Sequence, residues 1–133
     1  MHKVYLGLGT NLGDRSQHLK DALEAIENQL GTIQRKSSVH ETKAWGKTDQ
    51  PDFLNMVIMV QTEIWPLKLM EKILQIEEQL GRVRKEKWGS RLIDIDVLYF
   101  NDWYFNTPGL IVPHPFIQQR EFVLQPLQEI SEH

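Results

Sequence analysis

The sequence predicts an α+β domain with a ferredoxin-like βαββαβ core, additional short strands and a C-terminal helical segment. Three observations support this prediction. Alternating apolar residues indicate strands, apolar residues at helical spacing indicate helices, and the segments follow one another as strand, helix, strand, strand, helix, strand. The chain has 133 residues, which is enough for one buried core. We therefore expect residues 1–133 to form a single domain.

The first half of the chain holds three predicted elements. The alternation in KVYLGLG, residues 3–9, indicates a strand. The helix that follows has two candidate N-caps, Asp14 and Ser16, and Gly31 ends it. Residues 32–42 indicate a weaker second strand.

The second half continues the pattern after a polar, exposed loop at residues 43–52. FLNMVIMVQTEI, residues 53–64, is typical of a strong strand. A helix begins at Pro66 and ends at Gly81, and residues 92–100 indicate the next strand. We expect the helices to cover one face of the sheet and to leave the other for later segments or a ligand. Short extended pieces and a partly helical segment follow at 103–105, 110–112 and 117–130.

The composition excludes several classes of protein. Cysteine is absent, which excludes a disulfide framework and thiolate chemistry. No run approaches the roughly 18 apolar residues of a membrane span, and the N-terminal MHKVYLGLG lacks a cleavable signal pattern. We therefore expect a cytoplasmic protein without a membrane partner. The net charge of −3 argues against general nucleic-acid binding.

Residues 82–91, RVRKEKWGSR, concentrate the positive charge of the chain. Five cations and one acid give this segment +4, which leaves −7 for the remainder of a chain whose net charge is −3. Arginine guanidinium groups match phosphate oxygens, and Trp88 adds a stacking surface. Gly81 and Gly89 flank the segment as hinges, so one interpretation is a lid over an anionic ligand. The other is a solvated charged loop.

Asp94 and Asp96 lie in an otherwise apolar predicted strand. Because successive side chains of a strand point to opposite faces, the two carboxylates share one face, with Cα atoms about 6.6 Å apart. A divalent cation between them would relieve their repulsion, and oxygen ligands favour Mg²⁺. Two solvated acids on an open sheet face are the alternative, because this spacing alone is not specific.

Two further patterns are less informative. GLGTNLG at 7–13 is one residue out of register for the dinucleotide fingerprint, and no lysine follows to make a phosphate-binding loop. Its glycines indicate instead a close backbone approach at a sheet surface. His114 lies between two prolines, and either a structural or a phosphate-binding role fits it.

Four segments together resemble the 6-hydroxymethyl-7,8-dihydropterin pyrophosphokinases, a family of folate biosynthesis. They are GLGTNLGDR, DQPDFLN, GRVRKEKWGSRLIDIDVL and VPHPFIQQREFVL, at residues 7–15, 49–55, 81–98 and 112–124. They follow the family's order over nearly the whole chain, and the third is the most specific. The resemblance implies transfer of a pyrophosphoryl group from MgATP to the hydroxymethyl oxygen of the pterin, with release of AMP.

The resemblance also implies residue roles on the phosphate side. Asp94 and Asp96 would hold two Mg²⁺ ions that bridge the triphosphate of ATP, the co-substrate. Arg82 and Arg91 would be catalytic residues that grip the phosphates. The other nucleotide-binding residues would be Glu77, Arg84, Trp88, His114 and Arg120.

In the pterin pocket, the resemblance implies that Asn55 reads the edge of the heterocycle with help from Thr42, while Phe53 and Phe122 sandwich the ring. The sequence departs from the family's usual residues, Ser, Tyr and Pro, at Thr10, Phe53 and Lys43. Family members usually continue into a further helix beyond the position of residue 133. We expect a shortened C-terminus that leaves the matched site residues complete.

Two alternative functions stay open on the residues alone. A metal-dependent phosphohydrolase would use the same acids and turn over ATP without pterin. A non-catalytic ferredoxin-like module would bind nucleotides or single-stranded RNA through its sheet and basic segment, but it needs neither the acid pair nor an acidic remainder. For the pyrophosphokinase we expect small-molecule substrates, no nucleic-acid partner and a monomer.

Overall fold

The computed structural model describes residues 1–42, 52–81, 92–115 and 121–130, with the backbone alone at 121 and 122. Its elements are, in chain order, β1 (His2–Thr10), α1 (Arg15–Gln29), β2 (Thr32–Lys36), β3 (His40–Thr42), β4 (Phe53–Thr62), α2 (Pro66–Leu80), β5 (Asp94–Phe100), β6 (Phe105–Thr107), β7 (Leu110–Val112) and α3 (Glu121–Ile130). This order confirms the predicted succession of strands and helices. The predicted loop up to residue 51 and the basic segment at 82–91 lie outside the described residues.

The central sheet has the strand order of the predicted ferredoxin-like core. Its hydrogen-bonded path runs β2-β4-β1-β5, with β3 also paired to β4, and each of these pairs is antiparallel. β1 and β2 are therefore parallel, with β4 between them, and α1 connects them as in a split βαβ unit. In the same way α2 connects β4 to β5 across β1. β6 and β7 form a separate two-stranded sheet.

The helix ends follow the signals in the sequence. The side chain of Asp14 accepts a hydrogen bond from the backbone N–H of Gln17 at 3.2 Å, so Asp14 rather than Ser16 is the N-cap of α1. Gly31 is needed where α1 meets β4, because a Cβ there would lie 2.1 Å from the carbonyl oxygen of Gln61. α2 begins at its predicted proline and is capped by its predicted glycine. Among the helices that the structure describes, none is long and apolar enough to cross a bilayer.

One face of the sheet is closed by α1 and α2. Alternate residues of β1, β4 and β5 point to this face and pack against aliphatic residues of the two helices. Burial of each large aliphatic side chain contributes about 1.5–3 kcal/mol, so this layer is the main source of stability. Its buried residues include Val4, Leu6, Leu8, Leu19, Ala22, Ile26, Leu54, Met56, Ile58, Val60, Leu69, Ile73, Ile76, Ile93, Ile95, Val97 and Phe100.

The opposite face is covered only in part. α3 packs there and forms a smaller cluster of buried residues, which are Tyr5, Val57, Met59, Leu98, Leu127 and Ile130. The rest of this face carries glycines and polar side chains. This face therefore holds a later segment, α3, and also keeps an open area where a ligand could bind.

The predicted strand at 32–42 is two strands, because three residues, 37–39, lie between β2 and β3 where the facing part of β4 has only two, 56 and 57. Buried Ser37 maintains the pairing between them. Its N–H donates to the carbonyl of Val57 and its hydroxyl accepts from the Val57 N–H, both at 2.9 Å. The next residue, Ser38, leaves the ladder and bonds to α3 instead.

Candidate active site

Three neighbouring strands place glycines, an asparagine and two aspartates on the open face. Gly9 of β1 pairs with Asn55 of β4 on one side and with Asp94 of β5 on the other. Two residues along, Gly7 faces Asp96 in the same way. We call Gly7 and Gly9 the glycine floor. Because adjacent strands lie about 4.8 Å apart, the Cα atoms of Asn55 and Asp94 stand about 10 Å apart across it. The cleft over the floor is also lined by Phe53, Val57, Leu98 and Val123.

The two aspartates share one face of β5, as predicted. Both are exposed, whereas Ile95 between them is buried in the helix-side core. Within the described residues, no third His, Cys, Asp or Glu joins them in a cluster suited to a metal. Two carboxylates fit Mg²⁺, which typically takes one or two carboxylates together with substrate phosphates and water. The donor set is therefore compatible with the predicted metal.

Two side chains hold the start of β5. Oε2 of Glu77, in the last turn of α2, accepts a hydrogen bond from the N–H of Ile95 at 2.8 Å. The hydroxyl of buried Thr10 donates to the carbonyl of Leu92 at 2.5 Å. β5 ends the strand path, so its outward N–H groups need partners from outside the sheet. Glu77 provides one at the peptide between the aspartates and thereby fixes the backbone that carries them.

Asn55 is the polar group on the other side of the glycine floor. Only 7% of its surface is exposed, and its Nδ2 donates to the hydroxyl of Thr42 at 2.9 Å. Its Oδ1 lies close to Gly9, where an added Cβ would come within 3.0 Å of it. Thr42 itself pairs with Phe53 across β3 and β4. The amide is therefore held in one orientation. It lies next to Phe53, which the family resemblance places in the same pocket.

The start of β4 and α3 form the rest of this side. Phe53 is half-buried, and Val123 of α3 lines the same cleft. Val123 follows Phe122, whose side chain lies outside the described residues. Nη1 of Arg15 donates to the carbonyl of Asp52 at 2.6 Å, which fixes the peptide just before Phe53. This arginine lies in the first segment that resembles the family, but no sequence pattern indicates its role.

A bulge brings His114 to β5. The pairing of β1 with β5 shifts register between Tyr5 and Leu6, so that β5 accommodates Leu98 as an extra residue. The carbonyl of Leu98 accepts a hydrogen bond from the N–H of His114 at 3.0 Å. The backbone of His114 is therefore attached two residues along β5 from Asp96.

A carboxyl group with a lowered pKa, that of Glu129, lies at the C-terminal end of α3. Glu129 accepts hydrogen bonds from the N–H and the hydroxyl of Ser38, at 2.8 and 2.7 Å, and contacts Nε2 of His40. The backbone N–H of Ser38, then its hydroxyl and His40, lower the pKa of Glu129 to about 2. The sequence does not reveal this cluster, because Ser38 and Glu129 are 91 residues apart and no local pattern connects them.

Volume alone does not identify the site. The described residues enclose about 70 Å³ over the glycine floor, whereas a hollow of about 450 Å³ lies farther along the same face. The larger hollow is lined half by aromatic residues, and the rest are Lys3, Asn101, Asp102 and Pro113. The smaller cleft combines paired carboxylates with a buried, oriented amide, so its chemistry makes it the candidate active site.

The structure gathers part of the predicted site and leaves part undescribed. Phe53, Asn55, Asp94 and Asp96 line one cleft, Thr42 bonds to Asn55, and Glu77 and His114 attach to β5. The predicted residues that lie outside the described ones are Arg82, Arg84, Trp88, Arg91, Arg120 and the side chain of Phe122.

Paired carboxylates and a buried amide in one cleft are typical of an enzyme that acts on small polar molecules. The family model for 7,8-dihydro-6-hydroxymethylpterin-pyrophosphokinase matches residues 5–132, and the chain belongs to this family. The family's enzymes are ATP-dependent diphosphotransferases of folate biosynthesis, so ATP is the implied co-substrate.

Curated relatives agree with the family match. The chain is 45% identical over 131 residues to the 2-amino-4-hydroxy-6-hydroxymethyldihydropteridine pyrophosphokinase of Aquifex aeolicus. This alignment covers 98% of the chain and 81% of the relative. It is 43% identical over 130 residues to the enzyme of the same name from Bacillus subtilis, with 97% and 78% covered. The resemblance found in the sequence is thus confirmed, and the phosphohydrolase and RNA-binding alternatives gain no support.

Solved structures confirm the fold. The wild-type HPPK-DHPS of Plasmodium falciparum superimposes with a TM-score of 0.79 at 19% identity, over 96% of this chain and 39% of that one. A second wild-type structure of it gives a TM-score of 0.76 at 20% identity, over 98% and 40%. These are similarities of fold, and they support the α+β arrangement predicted from the sequence.

Proposed function

We propose that this protein transfers the pyrophosphoryl group of ATP to the hydroxymethyl oxygen of 6-hydroxymethyl-7,8-dihydropterin and releases AMP. The observation that carries the proposal is the glycine floor, which separates Asn55 from Asp94 by about two strand spacings, with Asp96 two residues along β5. This distance suits a two-ring heterocycle held at the amide with its hydroxymethyl arm directed toward the carboxylates. Because glycines have no side chain, the ring can lie close to the sheet.

On the phosphate side, Asp94 and Asp96 are the proposed ligands of Mg²⁺, and the family resemblance implies two ions. Bound Mg²⁺ would supply charge neutralisation at the phosphate oxygens. The protein's own contribution is placement, since Glu77 and Thr10 fix the backbone of β5. Carboxylates on a fixed backbone need little reorganisation when the substrate binds, which is how preorganised sites stabilise a developing charge.

On the pterin side, Asn55 is the proposed reader of the heterocycle edge. Its Nδ2 keeps a second N–H after bonding to Thr42, and its Oδ1 keeps acceptor capacity, so it can both donate to a heterocycle and accept from it. Phe53 and Phe122 are the proposed stacking partners. Aromatic stacking of this kind contributes about 1–3 kcal/mol per base in nucleic-acid sites.

The remaining roles follow the family resemblance. Arg82 and Arg91 would neutralise the phosphates during transfer, because phosphoryl-transfer catalysis consists mostly of positioning and charge stabilisation. The attachment of His114 beside Asp96 supports a nucleotide-side role for it. The other proposed nucleotide-binding residues are Glu77, Arg84, Trp88 and Arg120.

The proposal extends to the setting of the enzyme. The family match over residues 5–132 supports a single domain over residues 1–133. We propose a cytoplasmic monomer that acts on small molecules, with neither a nucleic-acid nor a membrane partner.

The test is to incubate the protein with MgATP, with and without 6-hydroxymethyl-7,8-dihydropterin, and to identify the nucleotide product. Pterin-dependent AMP is the expected result. ADP would contradict the attack on the β-phosphorus, and ATP turnover without pterin would favour a phosphohydrolase. Omission of Mg²⁺, with restoration by added Mg²⁺, tests the proposed metal.

A further inference from the structure

We propose that Glu129 is a positioning residue for the pterin substrate: it clamps α3 to β3 and so sets the spacing between two walls of the pterin pocket. We call Glu129, Ser38 and His40 the α3 clamp. The inference rests on the proposed function, because it assigns the pterin to the cleft beside Asn55.

In the α3 clamp, polar groups of two residues contact the carboxylate of Glu129. Ser38 bonds to both oxygens of Glu129, through its N–H to Oε2 and its hydroxyl to Oε1, and His40 Nε2 contacts Oε1 as well. The same end of α3 receives a second bond, from Nη1 of Arg35 to the carbonyl of Ile130 at 2.9 Å. Hydrogen bonds to a charged acceptor are about twice as strong as neutral ones and are directional. The low pKa of Glu129 agrees with a well-satisfied carboxylate.

On one side, the clamp is connected to the pterin pocket through β3, because β3 contains His40 at one end and Thr42 at the other. His40 is the register partner of Asn55, and Thr42, two residues on, carries the hydroxyl that orients the Asn55 amide. β3 has only three residues, His40–Thr42, and its order depends on few ladder bonds. A carboxylate that fixes its first residue therefore also affects the position of its last.

The other side leads to the pocket through α3. Val123, which lines the cleft, lies six residues before Glu129, or about 9 Å along the helix. Between them, Leu127 packs against the sheet together with Ile130. Apolar contacts of this kind are non-directional, so they attach the helix without fixing its rotation. The clamp supplies that directional restraint and thereby sets where the start of α3 stands relative to Asn55.

The experiment compares Glu129→Gln with Gln128→Ala, which changes an exposed neighbour on the same helix. Steady-state rates would give kcat and the separate KM values for pterin and ATP. Isothermal titration would give the pterin dissociation constant without nucleotide, and thermal unfolding would report the fold. Glu129→Asp, which keeps the charge on a shorter side chain, tests rescue.

We expect Glu129→Gln to raise the pterin KM and dissociation constant about tenfold, the scale of one lost charge-assisted hydrogen bond, with the ATP KM unchanged. Glu129→Asp should recover part of this loss, and Gln128→Ala should match the wild type. A purely structural role would lower the folded fraction, and hence kcat per total protein, without raising the pterin KM.

An unchanged pterin KM and dissociation constant in Glu129→Gln would overturn the clamp even if the wild-type enzyme makes AMP. Wild-type protein that binds pterin but yields no AMP would overturn the proposed reaction, and titration of Glu129→Gln would still decide the clamp. Wild-type protein that neither binds pterin nor makes AMP would overturn both.

Discussion

The two faces of the central sheet are built from the same strands and serve opposite purposes. On the helix side, Leu8, Leu54 and Ile95 belong to one continuous aliphatic layer under α1 and α2. On the other side, the neighbouring residues of the same strands are glycine, asparagine and aspartate, and α3 covers only part of them. The difference teaches that a strand can stabilise the domain with one set of side chains and present chemistry with the other.

This division has an energetic basis. The period-2 alternation of a strand separates the faces completely, so a polar residue on the open face does not interrupt the aliphatic layer. The open face buries less apolar surface and carries two like charges on one strand. The glycines and polar residues of the cleft therefore add little to stability, and substitutions in the cleft and on the helix side should have separable effects.

The largest expected effect is on the open face. Asp96→Asn should lower kcat at least about 10³-fold, because a catalytic cation contributes several kcal/mol and each 1.4 kcal/mol is about tenfold in rate. Asp94→Asn should behave alike. Since both aspartates are exposed, neither change should lower the free energy of unfolding appreciably. Steady-state kinetics at saturating MgATP, together with urea unfolding, would measure both quantities.

The control is Asp102→Asn, which changes an exposed carboxylate in the turn after β5. It should leave kcat unchanged. Near-normal turnover in both Asp94→Asn and Asp96→Asn would contradict the roles assigned to the acid pair.

The next largest effect is on the helix face, where a substitution should lower stability and leave substrate binding unchanged. Ile58 is 0% exposed, and Ile58→Ala should reduce the free energy of unfolding by about 2–5 kcal/mol through lost burial and the cavity left behind. The KM values of the folded protein should not change. Ile111→Ala, at a position that is 46% exposed, should stay within about 0.5 kcal/mol of the wild type. If Ile58→Ala altered the pterin KM without lowering stability, the separation of the faces would be wrong.

A smaller effect distinguishes the two glycines of the floor. A Cβ at Gly9 would come within 3.0 Å of Asn55 Oδ1, whereas one at Gly7 would meet only Leu98 at 3.5 Å. Gly9→Ala should therefore displace the amide and raise the pterin KM about tenfold, the scale of one hydrogen bond. Gly7→Ala should raise it less, because 3.5 Å is ordinary contact. Equal effects of the two substitutions would show that the Asn55 amide is not the sensitive contact.

The smallest expected effect is on stability at acid pH. The pKa of Glu129 is about 2 in the folded protein, against an ordinary value of 4.5, so the folded state binds this proton less readily than the unfolded state. Its stabilising contribution is complete above about pH 4.5 and is lost as the pH falls toward 2. The carboxylate is solvent-accessible, which screens the effect.

Urea unfolding of the wild type and of Glu129→Gln between pH 7 and pH 2.5 would measure this contribution. The difference in unfolding free energy should shrink as the pH falls. A difference that is constant over this range would mean that the hydrogen bonds of Glu129 do not depend on its charge.

Much of the architecture could be predicted from the sequence because it depends on local rules. The alternation around Asp94 and Asp96 put both carboxylates on one face, and Pro66 and Gly81 marked the ends of α2. Strand and helix periods depend on neighbours only a few residues away, so a single chain displays them. The nucleotide and pterin roles came from the family resemblance instead, and many of the residues involved lie outside the described part of the chain.

What local rules could not supply are relations between distant segments. The period of β5 alone places Phe100 on the same face as Asp96, yet Phe100 is buried on the helix side, because the bulge at Leu98 reverses the alternation. The split between β2 and β3 likewise depends on how Ser37 meets Val57. Neither irregularity leaves a local pattern.

Patterns in the sequence were enough to predict the type and order of the elements, the shared face of the acid pair and the family to which the chain belongs. The tertiary structure alone places Gly9 between Asn55 and Asp94, Glu77 at the peptide between the aspartates, and Glu129 in contact with His40 of β3. The physical reason is that strand register and helix docking are set by the packing of the whole core, which brings together residues that no sequence window contains.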